Sequence, residues 1–126
     1  MPIVTVEIAD GVGIIRLDHP PINMGNRLLR DGILQALDQL HRAEVTLGVV
    51  ITTALDDFYA GSDLTEFDRP IEPPQLPEVI TAIERFPLPV VAAIRGLALG
   101  GGLELALGCD ARVGDRSAVL GLPETS

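Results

Sequence analysis

The chain has 126 residues, of which 47% are hydrophobic and only 3% aromatic, a composition typical of one compact domain with an aliphatic core. With 9 basic and 18 acidic residues its net charge is −9, so electrostatic repulsion argues against nucleic acid and anionic membrane surfaces as partners. The single cysteine, Cys109, excludes an intramolecular disulfide and, with no visible secretory signal, predicts a cytoplasmic location.

The first part of the chain predicts a β-hairpin followed by a helix. Apolar and polar side chains alternate over residues 3–8, Asp10-Gly11 is a turn signal, and residues 13–17 supply the second strand. A helix is predicted over residues 27–42, with Asn26 as its cap. Its apolar residues recur every three or four positions: Leu29, Ile33, Leu37 and Leu40.

The middle of the chain predicts two buried strands separated by a loop and a helix. The apolar run over residues 47–51 is typical of a strand covered on both faces, and residues 90–94 form a second such run. Between them, four prolines within residues 69–77 predict a loop, and residues 76–86 predict a helix.

The last part predicts a glycine-rich turn over residues 96–102, a helix over residues 103–109, and short strands at residues 111–113 and 119–120. Strands and helices therefore alternate along the chain. This order predicts an α/β domain whose strands are parallel after the opening hairpin.

The glycine-rich turn is the strongest candidate for a functional site. Gly100-Gly101-Gly102 lets backbone N–H groups approach a ligand with no Cβ atom in the way, and the helix start adds positive dipole character. The combination suits an anion or a developing oxyanion. Glu104, in the first turn of that helix, either complements the dipole or acts as an acid/base group. The second role requires a partner, for which Glu124 is the candidate.

A second donor is available at Gly61-Ser62, after the first buried strand and its loop. Small residues in a conformationally open turn can present a backbone N–H group to a ligand. The alternative is an ordinary turn into a short helix that begins near Asp63.

Three blocks of sequence resemble the signature blocks of the crotonase superfamily, the enoyl-CoA hydratases and isomerases, in composition, order and spacing. They are residues 58–64, residues 89–106 and residues 121–124. The stretch GLELALGC, residues 102–109, is especially similar to the hydratase/isomerase part of multifunctional β-oxidation enzymes. The resemblance covers the whole chain and implies an α/β, crotonase-like ββα spiral. Residues 1–126 are then the N-terminal portion of such a domain, with its C-terminal half absent.

In this family two backbone N–H groups polarise the thioester carbonyl of an acyl-CoA, and the resemblance assigns them to Ser62 and Gly101. It assigns the two catalytic carboxylates to Glu104 and Glu124. The resemblance therefore implies an enoyl-CoA hydratase of β-oxidation, which adds water to a 2-trans-enoyl-CoA. The residues that it implies for substrate binding are Ala60, Gly61, Asp63, Leu64 and Gly100.

The resemblance also implies partners. Coenzyme A is part of the substrate, so no separate cofactor is expected, and no cluster has metal-ligand spacing. Full-length members are expected to form trimers or dimers of trimers. An isomerase, another acyl-CoA enzyme of the family, or a truncated fragment that binds CoA without turnover stay open as alternatives.

Two unrelated classes fit the residues less well. A dinucleotide-binding fold also begins with a strand, a glycine turn and a helix, but the glycines here do not follow G-x-G-x-x-G. A serine hydrolase would need G-x-S-x-G, and Ser62 lies in Ala-Gly-Ser-Asp with both histidines before it.

Cys109 is interpreted as a buried small hydrophobe. Five arginines are candidates for CoA phosphate contacts, with solvated surface charge as the default for each: Arg16, Arg27, Arg30, Arg69 and Arg95.

Overall fold

A computed structural model describes residues 2–43, 45, 47–62, 66 and 70–122 of the chain. The strands in these ranges are β1 (Val4–Ala9), β2 (Val12–Leu17), β3 (Met24–Gly25), β4 (Gly48–Thr53), β5 (Gly61–Ser62), β6 (Val90–Ile94), β7 (Leu97–Leu99), β8 (Ala111–Gly114) and β9 (Val119–Gly121). The helices are α1 (Arg27–Arg42), α2 (Leu76–Arg85) and α3 (Gly101–Gly108).

The predicted hairpin and first helix are confirmed. Strands β1 and β2 pair antiparallel, with Val4 opposite Leu17 and Ala9 opposite Val12. Helix α1 has the predicted bounds, and the Asn26 side chain caps it by accepting the Leu29 N–H at 2.9 Å. The predicted apolar face is buried: Leu29, Ile33, Leu37 and Leu40.

A five-stranded sheet runs in the order β1-β2-β4-β6-β8, and every pair after the hairpin is parallel, as predicted. Each of β2, β4 and β6 is followed by a short strand and then a helix, so the unit strand–strand–helix occurs three times. The short strands pair with one another, β3 with β5 and β7 with β9. This repetition is the ββα spiral that the resemblance implies.

The predictions for the glycine-rich turn and the helix after it need correction. Residues 96–102 are not all turn, because Leu97–Leu99 form β7 and pair with β9. Helix α3 begins at Gly101 and not at residue 103, since Gly100 has a φ of +52° and forms the N-cap. It ends at Gly108.

Strand β4 is buried on one face and not on both. Val49 and Ile51 belong to the core formed with the helices, whereas Val50 and Thr52 point to the other face and are only partly buried. The helical residues of this core come from all three helices, so one side of the sheet receives their packing. The predicted start of a short helix at Asp63 lies outside the described residues. Among those residues, no helix is long and apolar enough to cross a membrane.

Candidate active site

The two predicted donor segments lie against each other. A Cβ atom placed on Gly100 would be 3.9 Å from the Gly61 Cα, and one placed on Gly101 would be 3.6 Å from the Ser62 Oγ. The segments are far apart in sequence and come from different ββα units. The fold therefore brings Gly61, Ser62, Gly100 and Gly101 to one place.

Strand pairing fixes Ser62 at this contact between the two donor segments. In β5, Ser62 is opposite Gly25 of β3. Just before it, the Ala60 N–H donates to the Asn23 carbonyl at 3.3 Å, and the Tyr59 N–H donates to the Leu97 carbonyl at 2.9 Å. The segment from Tyr59 to Ser62 is thus bonded on one side to the β3 region and on the other to β7.

Close packing against Tyr59 fixes the start of α3, which carries the second donor segment. A Cβ atom on Gly102 would collide with the backbone carbonyl of Tyr59, so the first turn of α3 reaches this contact only without a side chain. The Tyr59 ring is almost fully buried, and burial raises the pKa of its hydroxyl to about 12 despite the nearby Arg30 charge. Tyr59 is therefore a neutral packing group between the donor segments. It was not identified from the sequence.

The first residues of helix α3 direct their N–H groups toward the contact between the two donor segments. Gly101 is its first residue, so its N–H has no acceptor within the helix, and the helix dipole adds partial positive charge. The Gly100 N–H is already used, because it donates to the Gly121 carbonyl at 2.9 Å. The Gly101 N–H therefore has no acceptor within the helix and is open to a ligand, and its assignment to an oxyanion hole stays a prediction.

Glu104 lies in the first turn of α3 with an exposed side chain, and its own N–H donates to the Gly100 carbonyl at 3.1 Å. Its carboxyl group is therefore available to a ligand held at the helix start. Glu124, the second predicted carboxylate, lies outside the described residues, as do Asp63 and Leu64. Gly121, shortly before Glu124 in sequence, is the residue bonded to Gly100.

Arg30 departs from the expected solvated charge. It is only 5% exposed, and its Nη1 lies 3.0 Å from the Glu66 Oε1. Arg16, by contrast, forms an exposed ion pair with Glu7 at 2.7 Å, and Arg95 donates to the Thr53 carbonyl at 3.1 Å. No spacing rule would have linked Arg30 to Glu66, because they are brought together only by the fold.

Cys109 behaves as the sequence predicts. Its side chain is 5% exposed, and burial, with a contribution from Asp110, raises the pKa of the thiol to about 11. A protonated thiol in the core is a poor nucleophile. This agrees with the interpretation of Cys109 as a small hydrophobe.

Comparisons with known proteins identify relatives of this chain. The model of the enoyl-CoA hydratase/isomerase family matches residues 7–126. The peroxisomal bifunctional enzyme of Homo sapiens is 41% identical over 119 residues, which are 93% of this chain and 16% of that protein. The structure of Pseudomonas aeruginosa DspI is 34% identical with a TM-score of 0.87, and the match covers 98% of this chain and 54% of that one.

An enoyl-CoA hydratase from Thermoplasma volcanium is 26% identical with a TM-score of 0.89, over 99% of this chain and 53% of that one. The chain therefore spans only part of each relative. The fold is nevertheless the crotonase fold of these structures, and the family match extends from the opening hairpin to the last residue. The chain belongs to the enoyl-CoA hydratase/isomerase family.

Proposed function

We propose that this chain carries the carbonyl-polarising site of an enoyl-CoA hydratase, a lyase that converts a 2-trans-enoyl-CoA to a 3-hydroxyacyl-CoA in fatty-acid β-oxidation. The observation that carries the proposal is the meeting of Gly61-Ser62 with the start of α3, which bears Glu104 in its first turn. The names of the relatives, which include a bifunctional enzyme and enoyl-CoA hydratases, support the same substrate class.

The proposed oxyanion hole consists of the backbone N–H groups of Ser62 and Gly101. Addition of water to the β-carbon shifts electron density through the α-carbon onto the thioester oxygen. Two preorganised donors directed at that oxygen stabilise the resulting enolate, and each donor of this kind typically lowers the barrier by about 3 kcal/mol. The Ser62 hydroxyl is not required, because only the amide donates.

The two glutamates divide the proton transfers. Glu104 accepts a proton from the water as its oxygen bonds to the β-carbon, and Glu124 delivers a proton to the α-carbon, so that water adds to one face of the double bond. General acid–base groups of this kind typically contribute about 100- to 10,000-fold in rate. Ala60, Gly61, Asp63, Leu64 and Gly100 are proposed to contact the acyl-CoA.

The coenzyme A thioester is proposed as substrate, so the reaction needs no further cofactor. We propose that the whole enzyme forms a homotrimer or a dimer of trimers. The cytoplasmic location predicted from the sequence stays a prediction, because the human relative is named a peroxisomal enzyme.

The alternatives use the same groups. A double-bond isomerase would polarise the same carbonyl and would move a proton between carbons with the same two carboxylates, and the matched family includes both activities in its name. The remaining alternatives are another acyl-CoA enzyme of the family and a fragment that binds acyl-CoA without turnover. None of these alternatives would hydrate crotonyl-CoA as a hydratase does.

The test is hydration of crotonyl-CoA, followed by loss of the enoyl-thioester absorbance, for the parent chain and for Glu104→Gln. We expect kcat to fall about 100-fold or more in Glu104→Gln, with little change in the Kd for crotonyl-CoA. Glu84→Gln on α2, another exposed glutamate, is the matched control and should leave kcat unchanged.

Full activity in Glu104→Gln would reject the proposed role of Glu104. Conversion of a 3-enoyl-CoA to the 2-enoyl isomer without hydration would favour the isomerase. Binding of crotonyl-CoA by the parent without conversion would favour the binding fragment.

A further inference from the structure

We propose that the buried Arg30–Glu66 ion pair is a positioning device for the Ser62 N–H of the proposed oxyanion hole. Neither side chain is assigned a contact with the substrate. The inference rests on the proposed function, and it concerns how the fold fixes one of the two donors.

The pair is enclosed by protein. The Arg30 side chain is 6% exposed and the Glu66 side chain 18%, with 3.0 Å between Nη1 and Oε1. Burying two charges removes their hydration, so such a pair adds little net stability compared with apolar residues of the same size. A buried pair is therefore better explained by the arrangement that it enforces than by the free energy of unfolding.

Glu66 is bonded to the first turns of α1 through both carboxylate oxygens. Its Oε1 accepts from Arg30, and its Oε2 accepts the Arg27 backbone N–H at 2.9 Å. Arg27 is the first residue of α1, where the helix dipole favours a negative charge. Residue 66 is therefore fixed to the beginning of this helix.

Ser62 is attached to the point where β3 passes into α1 by strand pairing. It pairs with Gly25 of β3, and Gly25 immediately precedes Asn26, the cap of α1. Both ends of the segment from Ser62 to Glu66 are thus attached where β3 passes into α1. The proposed positioning role follows from these two attachments.

Arg30 also reaches the segment that supports the second donor. Its Nε donates to the Pro74 carbonyl at 2.7 Å, just before α2 begins at Leu76. A Cβ atom on Gly101 would lie 3.0 Å from a methyl carbon of Leu76. Arg30 therefore connects the Ser62 segment, through Glu66, with the start of α2 that packs against Gly101.

The test uses the double variant Arg30→Met/Glu66→Gln, which removes both charges, so that neither charge is left buried without its counter-ion. Because no uncompensated buried charge remains, the fold should be retained, and the far-UV circular dichroism should match that of the parent. Arg16→Met is the matched control, because it breaks an exposed ion pair with Glu7 that lies on the opening hairpin.

The first readout is the thioester carbonyl stretch of bound butyryl-CoA, which cannot be hydrated because it has no double bond. Two N–H donors should lower this infrared frequency in the parent. We expect the band to return toward the frequency of free butyryl-CoA in the double variant and to stay shifted in Arg16→Met. A band in the double variant identical to that of the parent would overturn the proposal.

The second readout needs no ligand. The Ala60 amide, which is bonded to the Asn23 carbonyl, reports on the chain leading into Ser62. Its hydrogen exchange should accelerate on the order of tenfold in the double variant, as expected when a local contact that resists opening is lost. If the parent fails to shift the carbonyl band, the proposed oxyanion hole is wrong, and the Ala60 exchange rate alone then decides the positioning role. An unchanged rate would in that case overturn it.

Discussion

Asn23 lies between the opening hairpin and β3, fully buried, with a φ of +54° that asparagine tolerates better than most residues. Its Nδ2 donates to the Thr53 Oγ1 at 2.7 Å and to the carbonyls of Asp57 and Phe58 at 2.8 and 3.2 Å. Its Oδ1 accepts the His19 N–H at 2.7 Å. One amide therefore joins the end of the hairpin to the loop that leads into the donor segment.

Replacing Asn23 with alanine should leave several buried polar groups without partners. We expect the free energy of unfolding in urea to fall by about 3 kcal/mol, since each unsatisfied buried group costs roughly 1–3 kcal/mol. Gln35→Ala is the control, because the Gln35 amide makes an exposed hydrogen bond to Asp31. Equal losses in the two variants would show that the buried contacts of Asn23 add nothing to stability.

Cys109 and Tyr59 should control stability at alkaline pH. The sequence contains no lysine, one cysteine and one tyrosine, so few other groups titrate there. Burial raises the pKa of Cys109 from 9.0 to about 11 and that of Tyr59 from 10.0 to about 12. Above pH 9 the unfolded chain loses protons that the folded chain retains, so the contribution of these two groups to stability should be constant below pH 9 and fall above it.

The variant Cys109→Ala separates the two contributions. Its stability should stay level until about pH 10, where the tyrosine of the unfolded chain begins to ionise, and should fall from there. Urea unfolding of both proteins from pH 7 to 11 measures the difference. A parallel decline of parent and variant from pH 9 would contradict the assignment to the thiol.

At the scale of the elements, the first turn of α3 packs closely against the Tyr59 backbone. Gly102→Ala would place a Cβ atom against the Tyr59 carbonyl, which is itself held by the Leu99 N–H at 3.0 Å and cannot move freely. Overpacking of this kind typically costs about 1–3 kcal/mol. We expect the free energy of unfolding to fall by that amount despite the higher helix propensity of alanine.

Gly108→Ala is the matched control in the same helix. Its Cβ atom would meet a side-chain carbon of the partly buried Ile80 at 2.9 Å, and not a hydrogen-bonded backbone. The propensity gain of about 1 kcal/mol should offset this contact, so stability should change little. If Gly102→Ala were as stable as Gly108→Ala, the Tyr59 contact would not be as tight as the structure indicates.

Elements with a long periodic pattern could be predicted from the sequence, and the short ones could not. Helix α1 repeats its apolar spacing over several turns, and the hairpin carries a turn signal. Strands β3, β5 and β7 have two or three residues each, too few for any period. Two of them lie in glycine-containing stretches that favour turns, and they become strands only because a neighbouring unit supplies the pairing partner.

The residues of the candidate site could likewise be predicted only in part from the sequence. The glycines at the start of α3 and the first-turn Glu104 follow from local physical chemistry. The meeting of Ser62 with Gly101 was implied only by the family resemblance, because it depends on contacts across units. The Arg30–Glu66 pair was missed, since both residues resemble ordinary surface charges until the fold encloses them.

At the scale of the whole molecule, several apolar side chains are exposed at the end of the described structure that β8, β9 and α3 form. Strand β8 is the last in its sheet and β9 pairs only with β7, so both present an open edge within the described residues. The large apolar side chains exposed on these strands, on α3 and next to β9 are Leu107, Val113, Val119, Leu120 and Leu122. Open strand edges with apolar residues promote association of like chains.

We therefore expect the 126-residue chain to associate with itself as its concentration rises, through this end. Val113, 63% exposed on β8, is the position to change, because a lysine on an edge strand opposes pairing with a second edge. In sedimentation velocity, Val113→Lys should shift the population toward monomer.

The control is Leu47→Lys. This leucine is 65% exposed, and its backbone N–H donates to the Gly11 carbonyl in the β1–β2 turn, away from β8. Because both variants add one positive charge, an equal shift would trace the association to net charge. A parent chain that stays monomeric at all concentrations would show that this surface does not bind a second copy.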